Sequence, residues 1–397
     1  MKNVLNNLQT LQDQLNPKLD NLALELYHKP ELGDQEFFAM SQHVALLREY
    51  GFEVQEGLCG KTTGFYAAYA SKKPGLKVAF LAEYDALPDI GHACGHNLLG
   101  AVSSGAGILL KSLVDEAGGT VVVIGTPAEE TNGAKPHFVS EGVFNDIDLV
   151  LMAHPADMWL LSGDSLALMP LQFEFFGKGA HAGSEPELGL NALNAGIITM
   201  NAIDALRGHI RSTSRIAGII LDGGKAANIV PDYCRMQFYV RSTDYDYNSE
   251  LSEKVRNCAR AGALATGTRL EITQHEVDFM DMRTNKALSD IFSKIAFEEF
   301  GIRLGEGPVG GSSDIGNVSY VCPTIHPYFD ISGGRPCGGH TKDMADCSIT
   351  PYAFEQAHKA AALLALTAYE CISNPESYKL VKDEFLSKQD SGGMCSR

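Results

Sequence analysis

Three continuous apolar runs constrain the fold of this chain more than any other feature. The runs are "LKVAFLA" (76–82), "GTVVVIG" (119–125) and "IDLVLMA" (147–153). Continuous apolar runs of this length are typical of strands that are buried on both faces of a sheet. Helix-compatible stretches separate them, and "GFYAAYA" (64–70) indicates an earlier strand. The pattern predicts an α/β architecture in which helices cover a sheet.

The N-terminal region shows the periodicity of helices. Leucines recur at steps of three or four residues between Leu8 and Leu26, which predicts a helix over residues 1–30. A second helix is predicted from about Gln35 to Tyr50, and Gly51 follows it as a C-terminal glycine should. Two helices therefore precede the first strand.

The pattern changes after about Met169 and returns near Arg283. The elements predicted between these points are strand 171–177, helix 190–211, strands 216–223 and 233–242, helix 250–265 and strand 268–277. This βαββαβ order is the split-βαβ pattern. Helices predicted at 285–300 and 350–372 then resume the first style. We therefore expect a discontinuous catalytic domain, 1–169 with 280–397, and an inserted domain, 170–279.

Composition and charge exclude several classes of partner. The formal net charge of −17 gives a surface that repels phosphate backbones, so we expect no binding to nucleic acid. The N-terminus lacks the pattern of a signal peptide, and no window approaches 18 uninterrupted apolar residues, so we expect no membrane association. The nine cysteines are scattered and lack CxxC spacing, which favours reduced thiols and a cytoplasmic location.

Metal-competent side chains follow the predicted strands. Ligands in open α/β sheets gather beyond the carboxyl ends of the strands. The residues at these ends, or in the late Gly-rich loop, are Glu83, Asp85, Cys94, His96, Glu129, Glu130, His154 and His340. Any one of them alone is better explained as a core cysteine, a surface histidine or a solvated carboxylate. Together they predict a site for zinc or manganese, because thiolate, imidazole and carboxylate all suit these ions.

The adjacent carboxylates Glu129 and Glu130 allow a division of labour. One can bind metal while its neighbour takes the proton of an attacking water as general base. A different chemistry is also open, in which Cys94 is the nucleophile of a cysteine hydrolase, but it leaves both glutamates and His340 without a role. A non-enzymatic regulator with a degenerate site is disfavoured because every ligand position is filled.

A set of motifs in this chain resembles a known family. The motifs are "LYHKPELGDQE", "AEYDALPDIGHACGHNLLG", "TPAEE", "MAHP", "GKGAHAGSEPELGLNAL", "DGGKAANIVPD", "GGSSDIGNVS" and "GGHT". They are similar to those of the amidohydrolase branch of the aminoacylase/carboxypeptidase-type metallopeptidases, which includes aminobenzoyl-glutamate and indole-acetyl-amino-acid hydrolases. The resemblance implies a two-metal α/β/α sandwich with an inserted ferredoxin-like βαββαβ lid and dimerisation domain.

The resemblance also implies a ligand set for two divalent ions, zinc or manganese. Cys94 would bridge the two ions. His96 and His154 would complete one ion, and Glu130 and His340 the other. Glu129 would be the general base. Asp85 would orient a ligand.

The inserted domain would contribute further residues. His181 would reach the active site of the partner subunit and hold the developing oxyanion. Asn228 would lie near the substrate carboxylate, and Arg241 is a second candidate for that anion, with a surface arginine as the alternative. The implied activity is hydrolysis of the amide bond in small N-acyl-amino acids or dipeptides by a metal-activated water, in a homodimer or homotetramer. Aminobenzoyl-glutamate-type specificity is the alternative.

Overall fold

The apolar runs of the sequence form neighbouring strands of one six-stranded sheet. In the computed structural model, which describes residues 2–307 and 310–391, its strands are β1 (Glu53–Leu58), β2 (Lys61–Ala70), β3 (Lys77–Ala82), β4 (Thr120–Gly125), β5 (Leu149–Leu151) and β11 (Thr324–Ile325). Their order is β1-β2-β4-β3-β5-β11. The last four run parallel to one another, while β1 and β2 pair antiparallel. The carboxyl ends of β3, β4 and β5 therefore meet at one edge.

Helices cover both faces of this sheet. Along β3, Val78 and Phe80 pack into one hydrophobic cluster, whereas Ala79 and Leu81 pack into another. The first cluster includes residues of α1 (Lys2–His28), α2 (Phe37–Glu49), α3 (His96–Ala117), α7 (Lys286–Phe300), α9 (Lys342–Cys347), α10 (Pro351–Ser373) and α11 (Pro375–Ser391). The second includes residues of α4 (Ala134–Ser140) and α8 (Ile315–Ser319). The predicted burial of the strands on both faces is confirmed, and so is the α/β fold class.

Some elements differ from the sequence prediction. The sequence patterns do not predict strand β1, helix α4 or helix α11, since β1 is a largely exposed polar edge strand and α4 carries a proline in its first turn. The chain also forms a two-stranded parallel sheet from β6 (His154–Ala156) and β12 (Tyr328–Asp330). These elements depend on tertiary contacts more than on local periodicity.

The inserted segment forms a four-stranded antiparallel sheet with two helices. In chain order its elements are β7 (Ala167–Phe176), α5 (Ala192–Leu206), β8 (Arg215–Asp222), β9 (Tyr233–Ser242), α6 (Tyr245–Thr266) and β10 (Arg269–Thr273). The sheet order is β10-β7-β9-β8, so β8 is an edge strand. Residues of α5 and α6 form one hydrophobic core with the sheet. The predicted βαββαβ module is confirmed.

The chain divides into two compact units. The first comprises Met1–Asp164, Met282–Val309 and Asp314–Arg397, and the second comprises Ser165–Asp281 and Gly310–Ser313. Within the described residues, α3 is the one helix long and apolar enough to cross a membrane, and 83% of its most apolar window is buried inside the protein. A buried core helix has the same composition.

Candidate metal centre

The loops that follow three parallel strands bring the predicted site residues together. Glu83 and Asp85 follow β3, Glu129 and Glu130 follow β4, and His154 begins β6 after β5. The late loop joins them because the backbone N–H of His340 donates to the carbonyl of Ala93 at 2.9 Å. The late loop is thereby fixed beside the loop that carries Cys94.

Glycine is required between Cys94 and His96. Gly95 precedes α3 with a φ of 78°, in the left-handed region. A Cβ at this position would lie 2.5 Å from Pro155 Cγ, so a side chain cannot be accommodated without moving the β6 backbone. The tight turn places the thiol and the imidazole on either side of one residue at the same edge of the sheet.

Two groups of three ligand atoms share one member. The thiol of Cys94 forms one group with His96 and His154 and another with Glu130 and His340, and within each group the ligand atoms lie within 4.8 Å of one another. The Cys94 sulfur is 3.5 Å from His154 Nε2, and His340 Nε2 is 3.4 Å from Glu130 Oε1. The geometry can therefore accommodate two cations with the sulfur between them.

Hydrogen bonds orient the two histidines of the first group. His96 Nδ1 donates to Asp85 Oδ1 at 2.9 Å, and His154 Nδ1 donates to the carbonyl of Pro155 at 2.7 Å. In this tautomer the Nε2 atom of each ring carries a lone pair. The second oxygen of Asp85 accepts the backbone N–H of Glu130 at 3.0 Å. Asp85 thus connects the loops that carry His96 and Glu130.

Buried polar atoms without partners mark the place where cations fit. His96 Nε2 and Glu130 Oε1 are buried and have no hydrogen-bond partner. Glu83 Oε2 lies 3.3 Å from His96 Nε2, but this pair lacks hydrogen-bond geometry. An unsatisfied buried polar atom is costly, and a bound cation removes that cost. The residues present therefore fit a divalent-metal site.

The electrostatics of the site agree with metal ligation and disagree with a cysteine nucleophile. Burial raises the pKa of the Cys94 thiol, whereas a nucleophilic cysteine needs a lowered pKa. A metal ion deprotonates a coordinating thiol outright. Burial lowers the pKa of His154 to about 4, so its ring is neutral at pH 7, as a ligand must be. Burial, with Glu83 and Asp314 nearby, raises the pKa of Glu129 in the absence of cations.

A buried ion-pair network lies next to Glu129. The Lys135 ammonium is fully buried and contacts Glu83 Oε1 at 2.6 Å and Asp314 Oδ1 at 2.5 Å. Burial alone would lower the pKa of Lys135, but Asp314 and Glu83 raise it, so the lysine stays charged. Glu83, Glu129 and Asp314 place carboxylate oxygens within 4.8 Å of one another. The lysine partly neutralises this concentration of negative charge.

Sequence reasoning missed Lys135 and two aromatic neighbours of His154. The rings of His326 and Tyr328 lie 5.6 and 5.7 Å from the His154 ring. Their signal in the sequence is the short apolar run "PTI" that precedes them, which resembles a strand end. Lys135 lies soon after the glutamate pair, but a lysine normally indicates an exposed position.

The three remaining predicted residues lie in the second unit. His181 is exposed, and its Nδ1 accepts the backbone N–H groups of Gly183 and Ser184 at 3.1 Å each. The Asn228 carbonyl accepts the N–H of Ala182 at 3.0 Å, which fixes Asn228 beside the His181 loop. Arg241 is half-buried and donates to Ser312 Oγ at 3.3 Å. The roles predicted for these residues stay predictions.

Comparison with known proteins places this arrangement in a family. Residues 168–266 match the model of a peptidase dimerisation domain, M20_dimer. The chain is 34% identical over 402 residues to the Xaa-Arg dipeptidase of Mus musculus, covering 95% of this chain and 90% of that protein. It is 36% identical over 337 residues to the Xaa-Arg dipeptidase of Homo sapiens, covering 81% and 75% respectively.

Two further similarities concern hydrolases. A p-aminobenzoyl-glutamate hydrolase from Escherichia coli is 30% identical over 272 residues, covering 63% of this chain and 56% of that protein. The fold matches the crystal structure of a dinuclear metal binding peptidase of the M20 family from Bacillus subtilis, with a TM-score of 0.64, 20% identity and coverage of 89% and 99%. The chain therefore belongs to the M20 family of metallopeptidases and is an enzyme that hydrolyses amide bonds.

Proposed function

We propose that the chain binds two divalent ions, with Cys94 as the shared ligand. One observation carries this proposal: the Cys94 sulfur belongs to both groups of converging ligand atoms. His96 and His154 would complete the first ion, and Glu130 and His340 the second. The donor set suits zinc or manganese, because it combines a thiolate, imidazoles and a carboxylate.

The residues around the ions would then divide the work of amide hydrolysis. Divalent ions at this place supply Lewis acidity, which polarises a carbonyl oxygen and lowers the pKa of water. Glu129 would accept the proton of the attacking water and deliver it to the leaving amine. Asp85 would hold His96 and the Glu130 backbone in place. His181 would donate from Nε2, because its Nδ1 already accepts two backbone N–H groups.

Metal stoichiometry tests the bridging role of Cys94. We expect wild-type protein, reconstituted and freed of excess metal, to bind two ions per chain. His340→Ala should retain one ion, since it removes a ligand of one site only, whereas Cys94→Ala should weaken both sites. Cys258→Ala removes a half-buried thiol of the second unit and is the matched control. Elemental analysis decides; two tightly held ions in Cys94→Ala would contradict the bridge.

The substrates are small, and we infer dipeptides that end in a basic residue. The relatives in mouse and human are named Xaa-Arg dipeptidase, and the formal net charge of −17 attracts cationic substrates. The E. coli relative favours the alternative, an N-acyl-glutamate.

A panel of dipeptides with one common N-terminal residue separates the two specificities. We expect kcat/KM for peptides ending in arginine or lysine to exceed that for glutamate by roughly 10-fold or more at low salt, and added salt to reduce the difference. Peptides ending in leucine are the uncharged control. A preference for glutamate would instead support the aminobenzoyl-glutamate-type activity.

The second unit supports assembly through its edge strand. Strand β8 exposes Ile219, Ile220 and Leu221, which are 57%, 39% and 41% exposed, and α5 exposes Ile197. An exposed apolar edge strand invites pairing with another chain. A homodimer that pairs these edges would bury the patch, and a homotetramer would need a further surface. The free thiols of the eight described cysteines fit a cytoplasmic setting.

A further inference from the structure

The N-terminal motif "LYHKPELGDQE" has no part in the chemistry proposed above. Its segment 31–36 nevertheless lies against both loops that carry the acidic residues of the site. The backbone N–H of Ala86, next to Asp85, donates to the Glu31 carbonyl at 2.8 Å. The N–H of Ala128, next to Glu129, donates to Glu36 Oε1 at 2.8 Å. One segment thus connects the two loops.

The Glu36 carboxylate is fully buried and both of its oxygens are engaged. Its second oxygen accepts the hydroxyl of Thr63 on β2 at 2.9 Å. The sheet therefore orients the carboxylate, and the carboxylate in turn holds the Ala128 amide. A buried backbone N–H needs such an acceptor, because an unpaired one costs about as much as a lost hydrogen bond.

The residue held in this way has a strained backbone. Ala128 has a φ of 63°, in the left-handed region that a non-glycine residue adopts only at a cost. It directly precedes Glu129, so its conformation sets the direction in which the Glu129 side chain leaves the backbone. Such strain persists only where the surroundings enforce it.

A glycine closes the turn from the other side. A Cβ on Gly33 would lie 2.7 Å from Thr131 Oγ1 and 2.9 Å from Ala128 Cβ. The backbone of segment 31–36 therefore contacts the turn directly, while Glu36 holds its amide. Hydrogen bonding and close packing act on the same turn.

From these contacts we propose that Glu36 is a positioning residue, which fixes the left-handed turn at Ala128 and so aims the Glu129 carboxylate. The proposal rests on the role proposed for Glu129. Glu36 touches no reacting atom; its effect passes through the Ala128 amide. Glutamine at position 36 keeps an oxygen that can accept this N–H, whereas leucine does not.

The experiment compares Glu36→Leu with Glu36→Gln in the full-length, metal-loaded protein. We expect Glu36→Leu to lower kcat by roughly 10- to 100-fold, because small displacements of a catalytic group are costly, with KM and metal content near wild type. Glu36→Gln should keep most of the activity. Ser104→Ala removes another buried hydrogen bond of the first unit, to His43 at 2.8 Å, and should lower stability without lowering kcat.

Hydrogen exchange gives a readout that needs no substrate. Peptides that span residues 126–131 should exchange faster in Glu36→Leu and at the wild-type rate in Glu36→Gln. Gly33→Ala, which perturbs the turn without touching the carboxylate, should also raise exchange there and lower kcat. These variants keep the test valid if Glu36→Leu folds poorly.

Three results would overturn the proposal. They are unchanged exchange over residues 126–131 in Glu36→Leu, an equal loss of kcat in Glu36→Gln, and a loss of metal that parallels the loss of activity. If the wild-type protein hydrolyses none of the substrates proposed above, the assignment of Glu129 fails, while hydrogen exchange still decides whether Glu36 holds the turn.

Discussion

Glu129→Gln is expected to retain its metal ions and to lose nearly all turnover. The amide has the size of the carboxylate and keeps a hydrogen-bonding oxygen, but it cannot take a proton from water at neutral pH. Loss of a general base typically lowers kcat by about 10²–10⁴-fold. Because Glu129 lies within 4.8 Å of His96 and Glu130 without being needed to complete either group that contains Cys94, the ligand set should survive the substitution.

The control for this variant is an equivalent change far from the site. Glu298 lies on α7 and is exposed, so Glu298→Gln should have wild-type kinetics and metal content. Steady-state kinetics and elemental analysis of both variants provide the test. Near-normal turnover in Glu129→Gln would assign the base to another residue, and loss of metal would make Glu129 a ligand.

His181→Ala is expected to be nearly inactive although folded and metal-loaded. A donor aimed at a developing oxyanion typically contributes about 10²–10³-fold in kcat. The His181 ring has the tautomer for this role, since its Nδ1 accepts the N–H groups of Gly183 and Ser184 and leaves the proton on Nε2. Its exposure in the single chain is what a residue that acts in a partner's site requires.

Complementation tests whether His181 acts across a dimer. Inactive Glu129→Gln and inactive His181→Ala are mixed under conditions of subunit exchange. With random exchange, half of the dimers are mixed and each has one intact composite site of two, so recovery should approach about one quarter of wild-type activity. If exchange is demonstrated and activity stays absent, His181 acts within its own chain or has no catalytic role.

Disruption of the edge strand gives the same prediction an independent arm. The double variant Ile219→Lys/Leu221→Lys places charges on the exposed apolar edge of β8 and should be monomeric by analytical ultracentrifugation. If His181 works from the partner, this monomer should lose activity as His181→Ala does. Leu264→Lys is the matched control, because Leu264 is 86% exposed on α6 of the same unit. A fully active monomer would contradict the action of His181 across a dimer.

Local sequence patterns account for the architecture of both units. The run "KVAFLA" forms β3 because alternate residues, Val78 and Ala79 for example, both face apolar clusters, and a continuous apolar run satisfies two faces at once. The βαββαβ order is readable because its strands alternate and its helices are periodic. Strand β1 is not readable, since its residues are mostly exposed and it is held by pairing with β2.

The ligand types are also present in the sequence, because strand ends of a parallel sheet converge whatever their separation along the chain. The order of strands and loops alone therefore predicts that Cys94, His154 and His340 lie near one another. Their roles as ligands stay predictions that metal analysis must test.

Only the tertiary structure decided what surrounds those residues. Lys135 is fully buried between Glu83 and Asp314, which are 52 and 179 residues away in the chain. No local pattern predicts this, because a lysine is buried only when folding brings carboxylates to it, and the sequence alone favours exposure. The hold of Glu36 on the Ala128 amide, across 92 residues, has the same origin. Periodicity along the chain determined which segments form helices and strands, whereas the contacts that orient the site depend on loops that meet only after the sheet has formed.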